Sequence, residues 1–158
     1  MQARMKKYQL TDAQTEALLL SAQVGHLGTV GEDGFPYVTP IHFVFVDGCI
    51  YFHGLTKGLK LDNLRKNFNV CFEVESGYTY LQANTPCDTN TAYQSVIIRG
   101  EAMPLVDKDR IIYILDAIVA KYTPQHKGKI YPNEMLKMTG VVEIKVRERT
   151  GKYFNGLA

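Results

Sequence analysis

The sequence predicts an α+β domain, mainly β, whose strands close into a barrel flanked by a few helices. Three observations carry this reading. Short apolar runs bounded by turn residues make up most of the chain, helical spacing is confined to a few stretches, and the elements fall in the order helix, hairpin strands, helix, strand, strand, helix, strand.

Thr11 followed by Gln14 forms a capping box, in which hydroxyl and amide each satisfy an orphan backbone N–H. Ala17, Leu18 and Leu20 continue at helical spacing, so a short amphipathic helix is expected to run to about Gln23. From Gly25 the texture turns to β: His26 to Val30, a turn at Gly31-Glu32-Asp33-Gly34, Tyr37 to Val46, then Asp47-Gly48 and Cys49 to His53. Asp-Gly between two apolar runs is a strong hairpin signal, because both central turn positions require positive φ. Pro36 and Pro40 lie inside the second run and cannot donate to a ladder, so that strand is expected to be irregular or to form an edge, a gap that a ligand could use.

Lys57 to Asn67 reads as a short helix carrying Leu59, Leu61 and Leu64, and Val70 to Glu75 returns to strand. Residues 76–91 are polar and rich in turn formers, which predicts a long loop or a loosely paired hairpin. Tyr93 to Val106 holds the apolar run Ser95 to Ile98 and is broken by Gly100 and Pro104, as suits a buried barrel strand that bends. Ile111, Ile112, Leu115, Ile118 and Val119 predict a helix that stops before Thr123-Pro124. A basic linker, Gln125 to Lys129, leads to a last strand near Thr139 to Val146, where Val142, Ile144 and Val146 alternate with charged residues.

A chain of 158 residues fits one domain and can bury a substantial core. With 46% hydrophobic and 22% charged residues it has the composition of a soluble globular protein. The net charge of +2, with basic residues scattered among acids, argues against nucleic acid as a partner. Cys49, Cys71 and Cys87 form no CxxC pair and leave an odd thiol, which disfavours a disulfide framework or a zinc site and suits a reducing compartment. No apolar run reaches the roughly 20 residues of a membrane span, and the expected location is the cytoplasm, without a targeting segment.

The stretch with most chemical content is Tyr51-Phe-His-Gly-Leu-Thr-Lys-Gly-Leu-Lys60, a strand that runs through His53-Gly54 into a helix starting near Lys57. The hydroxyl of Thr56, the charges of Lys57 and Lys60 and the free N–H groups of a helix start make a competent phosphate site, while Gly54 and Gly58 let backbone approach the anion. The same residues serve equally as a helix cap and two solvated lysines. His53 closes a strand after two aromatics, where a hydrogen-bonded structural histidine and a catalytic one look alike. His26 and His42 have no carboxylate or cysteine at a spacing that would complete a metal site, so no metal is expected. Tyr78 and Tyr80, spaced by two, read either as a packed strand face or as the border of a substrate pocket.

Three pieces, GHLGTVGEDGFPYVTPIHFVF, IYFHGLTKGLKLDNLRKNFNVCFEV and YQSVIIRGEAMPLVD, resemble in order and spacing the pyridoxamine 5′-phosphate oxidase-related FMN-binding split barrels, and especially their 5-nitroimidazole resistance (Nim-type) branch. The resemblance implies a homodimer with flavin mononucleotide (FMN) at the subunit interface and a small-molecule substrate. By position it implies Thr39, Pro40, Ile41 and His42 beside the flavin ring, His53, Thr56, Lys57 and Lys60 around the phosphate and ribityl chain, and contacts from Gln94 and Ser95. It also implies a functional part for His53, the candidate catalytic residue. A ladder interrupted at Pro40 would free backbone groups for the flavin's pyrimidine edge, and an apolar run at Ser95 to Ile98 would need covering by a second subunit.

The chain departs from oxidases that produce pyridoxal phosphate. It has Thr39-Pro40 and Leu59 where they carry arginines, and its end, Arg147 to Gly156, lacks their arginine-rich substrate motif. The expected activity is therefore that of an FMN-dependent oxidoreductase acting on a small oxidised acceptor such as a nitroaromatic. The alternative is a non-catalytic flavin- or haem-binding protein.

Overall fold

The computed structural model describes residues 6–156. Helix α1 spans Asp12–Ser21 and is capped by the Thr11–Gln14 box, with the Gln14 N–H donating to the Thr11 hydroxyl at 3.2 Å. Seven strands follow in chain order: β1 Gly25–Val30, β2 Pro36–Ile41, β3 Val44–Val46, β4 Cys49–Leu55, β5 Asn69–Leu81, β6 Asn90–Pro104 and β7 Thr139–Phe154. Between them lie α2 (Leu59–Lys66), α3 (Lys108–Tyr122) and α4 (Asn133–Met138). Among the described residues no helix is long and apolar enough to cross a membrane.

All pairings are antiparallel, and the sheet order is β2-β1-β5-β6-β7-β4-β3. That order forces curvature. The two edge strands, β2 and β3, are joined by only His42 and Phe43, a link that reaches at most about 11 Å, whereas the edges of a flat seven-stranded sheet stand about 29 Å apart. The sheet therefore rolls into a barrel with a seam at residues 42–43. No ladder crosses the seam, so the barrel is split there.

Inside the barrel, Leu27, Phe43, Ile50, Phe52, Phe72 and Ile144 form a core that α1 closes with Leu18 and Leu19 and α2 with Leu64. Asn63 of α2 is also buried and donates to Thr29 Oγ1 at 3.0 Å, tying that helix to β1. A second cluster lies outside the barrel wall, where Ile114, Leu115 and Ile118 of α3 cover Val44, Tyr51 and Val141. Arg110 fixes the start of α3 by donating to Asp47 and to the Tyr51 hydroxyl, both at 2.9 Å, while Tyr51 donates to Glu143 at 2.6 Å. That bond to a carboxylate, added to burial, pushes the Tyr51 phenol up to about 12.

Several expectations need refinement or correction. Of the two readings of 76–91 the loosely paired hairpin is the one found: β5 and β6 run on as a long arm with a register shift between Ser76 and Thr79, and 82–89 connect them. The last strand continues to Phe154, eight residues beyond Val146, because Gly100 lets β6 bend at a bulge and keep pairing with it. A Cβ on Gly100 would lie 2.5 Å from the Lys145 carbonyl oxygen. A short helix, α4, lies between the linker Gln125 to Lys129 and the last strand, in a stretch to which the sequence reading assigns no element. Of the run Ser95 to Ile98, Val96 and Ile98 are fully buried inside the barrel, leaving Ile97 as its exposed apolar side chain. The Asp47-Gly48 turn is as expected, with φ of 50° and 77°.

Candidate functional site

Alternation along β4 decides where His53 points. Ile50 and Phe52 face the barrel interior and Tyr51 faces out beneath α3, so His53 emerges on the outer wall. It is exposed there, beyond the cover of α3. Val44 of β3 pairs with Tyr51, and His42, two residues before Val44 and exposed, is near enough for its charge to act on His53. Lys60, on the first turn of α2, completes a group of three basic side chains. Crowding by neighbouring atoms lowers the His53 pKa from its ordinary 6.5, and the positive charges of His42 and Lys60 lower it further. His53 is thus held toward its neutral form until an anion arrives.

The phosphate corner begins later than its sequence suggests. The helix starts at Leu59, not Lys57, and its cap is Gly58 at φ 133°, a backbone conformation that favours glycine. Thr56 is not the cap, and no side chain closes the first turn. Thr56 and Lys57 are exposed, and the Lys60 ammonium lies 5.5 Å from the centre of the Phe52 ring. Neither Lys57 nor Lys60 forms an ion pair among the described residues. Arg65, which sequence reasoning missed, reaches back from α2 to the Thr56 carbonyl at 3.3 Å, nine residues away, and so belongs to the same corner. A cavity of about 460 Å³ opens beside it, bordered by Thr56, Leu61, Phe68, Met103 and Val142.

The ladder of β2 is not interrupted at Pro40. Pairing with β1 is continuous from Pro36 to Ile41. Gly31 N–H donates to the Phe35 carbonyl at 2.9 Å, which fixes the alternation: Tyr37, Thr39 and Ile41 take the hydrogen-bonded positions against β1, while Pro36, Val38 and Pro40 turn their backbone to the open edge. The prolines therefore occupy positions where no ladder donor is lost, and they blunt the edge, leaving Val38 with the one outward N–H of the three. The expectation of an edge strand holds, although the gap does not exist. The Ile41 side chain is buried in the core, leaving only its backbone for a ligand. Thr39 points inward, and its Oγ1 is buried without a hydrogen-bond partner.

Gln94 and Ser95 are not part of this corner within one chain. They lie opposite Tyr153 and Lys152 of β7, whereas His53 lies opposite Val141, and the intervening strand measures on the order of 30 Å. Tyr78 and Tyr80 are exposed on the same distant arm, where Tyr78 stacks against Tyr93 at 6.0 Å. No cluster of three or more potential metal-ligating His, Cys, Asp or Glu side chains exists among the described residues. His26 instead bonds Glu73 across the β1–β5 pair at 3.2 Å.

These features fit a flavin phosphate: the charges of His42 and Lys60 act on His53 at an exposed corner, and Lys57 and Lys60 there have no ion pair among the described residues. The sequence profile described as pyridoxamine 5′-phosphate oxidase matches residues 11–153. No curated protein matches the chain in sequence. Among solved structures, the chain is similar to a candidate 5-nitroimidazole antibiotic resistance protein of Bacteroides thetaiotaomicron, with 26% identity, a TM-score of 0.80, and 91% of this chain and 84% of that one covered. It shares its fold with a flavocytochrome of Azotobacter vinelandii at 20% identity and TM-score 0.86, over 98% of this chain and 72% of that one. An FAD- and haem-binding protein of Mycobacterium smegmatis has the same fold, with 20% identity and TM-score 0.82 over 90% and 71% of the two chains.

Proposed function

Since the chain belongs to the pyridoxamine 5′-phosphate oxidase family, we propose that it binds FMN and acts as an oxidoreductase on a small oxidised acceptor of the nitroaromatic class. The observation that carries the reading is the convergence of His42, His53 and Lys60 at the exit of β4, beside a helix start that no side chain closes. A phosphate dianion answers all of these at once: it neutralises mutually repelling cations and accepts from the open N–H groups of α2. When bound, FMN would supply two-electron transfer between a reduced donor and an oxidised acceptor. Lys57, Lys60 and Thr56 hold the phosphate end, and the outward Val38 N–H at the open edge of β2 offers a hydrogen bond toward the ring. His53, held toward its neutral form in the empty corner, takes up a proton as the phosphate binds and orients the ribityl-phosphate end.

The position of Gln94 and Ser95, far from the corner along β7, favours a site shared between two copies, in which a second subunit supplies these residues to the flavin of the first. The open placement of His42 and His53 on the outer wall agrees with a site completed from outside. The substitution of Leu59 and Thr39-Pro40 for the arginines of pyridoxal-phosphate producers, and the 26% identity to a candidate nitroimidazole resistance protein, favour a nitroaromatic over pyridoxamine phosphate.

The test is direct. Purified protein is assayed for flavin absorbance, titrated with FMN, and then given NADH or NADPH with a nitroimidazole. The proposal expects tight FMN binding and acceptor-dependent oxidation of the donor. Bound flavin that no acceptor beyond oxygen reoxidises would instead mark a flavin- or haem-carrying protein without turnover, and protein that ignores FMN would end the reading.

A further inference from the structure

The seam between β2 and β3 raises a question that no ladder answers. His42 and Phe43 carry the chain from one sheet edge to the other outside any strand, so their backbone groups need partners from elsewhere. For Phe43, both come from one side chain. The Phe43 N–H donates to the Tyr122 hydroxyl at 2.9 Å, and that hydroxyl faces the Phe43 carbonyl at 2.8 Å and the Gln23 carbonyl at 2.9 Å. Since a phenol has one proton, it donates to one of these two carbonyls at a time.

The same tyrosine holds the residue before Phe43 by another means. Its ring lies 4.7 Å from the His42 imidazole, centre to centre, with the planes tilted by 38°. Tyr122 ends α3, which Ile114, Leu115 and Ile118 anchor to the outer wall, so it projects from a rigid support. Its contacts specify both the path of the backbone at the seam and the direction of the His42 side chain. That direction matters because His42 is one of the three basic groups of the candidate site.

We propose that Tyr122 is a positioning residue for flavin binding, which sets the His42 imidazole against the cofactor by stacking on its ring while the hydroxyl pins the backbone of Phe43. This rests on the flavin-binding reading above. Aromatic contacts fix geometry beyond what burial alone supplies, and a histidine swinging freely at the end of a strand would lose part of its contribution to an anion.

The experiment compares FMN dissociation constants for the wild type, Y122L, H42A and the double variant, with Y122F as the control that keeps the ring. The His42 ring protons are followed by NMR without flavin. The expected result is a loss of about tenfold in affinity for Y122L in the His42 background and less than twofold in the H42A background, because the tyrosine then has nothing to position. Y122L should also move the His42 proton shifts by removing the ring current. Y122F should keep those shifts and lose less than threefold in affinity while lowering the melting temperature. An equal loss from Y122L in both backgrounds, or unmoved His42 shifts in Y122L, would overturn the proposal and leave Tyr122 as a fold clamp. If Y122L fails to fold, Y122F decides the matter in the same two backgrounds: an affinity loss from Y122F as large in H42A as with His42 present would overturn it. A wild type that binds no FMN refutes the functional reading, which is a distinct outcome.

Discussion

Replacing Lys121 by methionine removes a charge from a place that water does not reach. The Lys121 Nζ is shut off from solvent and has no hydrogen-bond partner. It lies 4.0 Å from the centre of the Phe43 ring and 5.4 Å from that of Tyr122. Burial pulls its pKa from 10.5 down to about 8. Taken at face value, that shift corresponds to about 3 kcal/mol against the charged form. The figure is a ceiling, because the partly exposed stem lets solvent screen the charge and the cation–π contact returns about 0.5–2 kcal/mol. At neutral pH the amine is still protonated, so the fold carries a net cost on the order of 1 kcal/mol. Methionine keeps the length of the stem and its packing on Phe43 without the charge.

K121M should therefore be more stable than the wild type at neutral pH by about 1 kcal/mol, measured by urea unfolding. The pH dependence has a definite sign. The unfolded chain keeps the lysine proton up to 10.5 while the folded chain releases it near 8, so between these values the unfolded state binds more protons and wild-type stability rises with pH relative to the variant. The gap between the two proteins should be widest at pH 7 and shrink through that window. A variant less stable than the wild type at neutral pH, or a gap that does not change with pH, would refute the argument that an unpartnered ammonium sits in the seam.

Three further outcomes are expected. Removing Thr56 and Lys60 together, as T56A/K60A, should raise the FMN dissociation constant by about two orders of magnitude, from one charged and one neutral hydrogen bond; equilibrium titration checks this. Because the His53 pKa lies below its ordinary 6.5, binding a dianion should draw a proton onto it, so the advantage of wild type over H53Q in FMN affinity should grow as the pH falls from about 8 to about 6. An affinity ratio that stays flat across this range would show that His53 is not beside the phosphate. Finally, G100A should cost about 1–3 kcal/mol in chemical unfolding, since its Cβ would meet the Lys145 carbonyl at 2.5 Å and Ile144 at 2.8 Å.

Much of the barrel was legible because local chemistry announces it. The Thr11–Gln14 cap, the Asp47-Gly48 turn and the stop before Thr123-Pro124 each depend on neighbours within four residues. The outer half of β5 was legible only as one of two alternatives, because residues 75–80 are exposed on both faces and no alternation survives to mark them as strand. Pro40 misled for a related reason: its effect depends on which neighbour its nitrogen faces, and only the register with β1 reveals that. The site divides in the same way. Thr56, Lys57 and Lys60 sit within one short stretch and could be read together, whereas Tyr122 meets Phe43 across 79 residues, and its place at the end of an apolar helix carries no local mark of that role. His42 and His53 each drew notice separately, but that one acts on the other is seen only once β3 is paired with β4.

The split also decides where this barrel can yield. Parting any other pair of neighbouring strands means breaking a row of backbone hydrogen bonds, whereas at the seam resistance comes from one phenol and the side chains around it. Local opening should therefore concentrate there, with β2 swinging on residues 42–43 as on a hinge while the strands behind it stay zipped. The candidate site borders that line through His42, so a ligand there would rest against the one edge of the barrel that no ladder fastens.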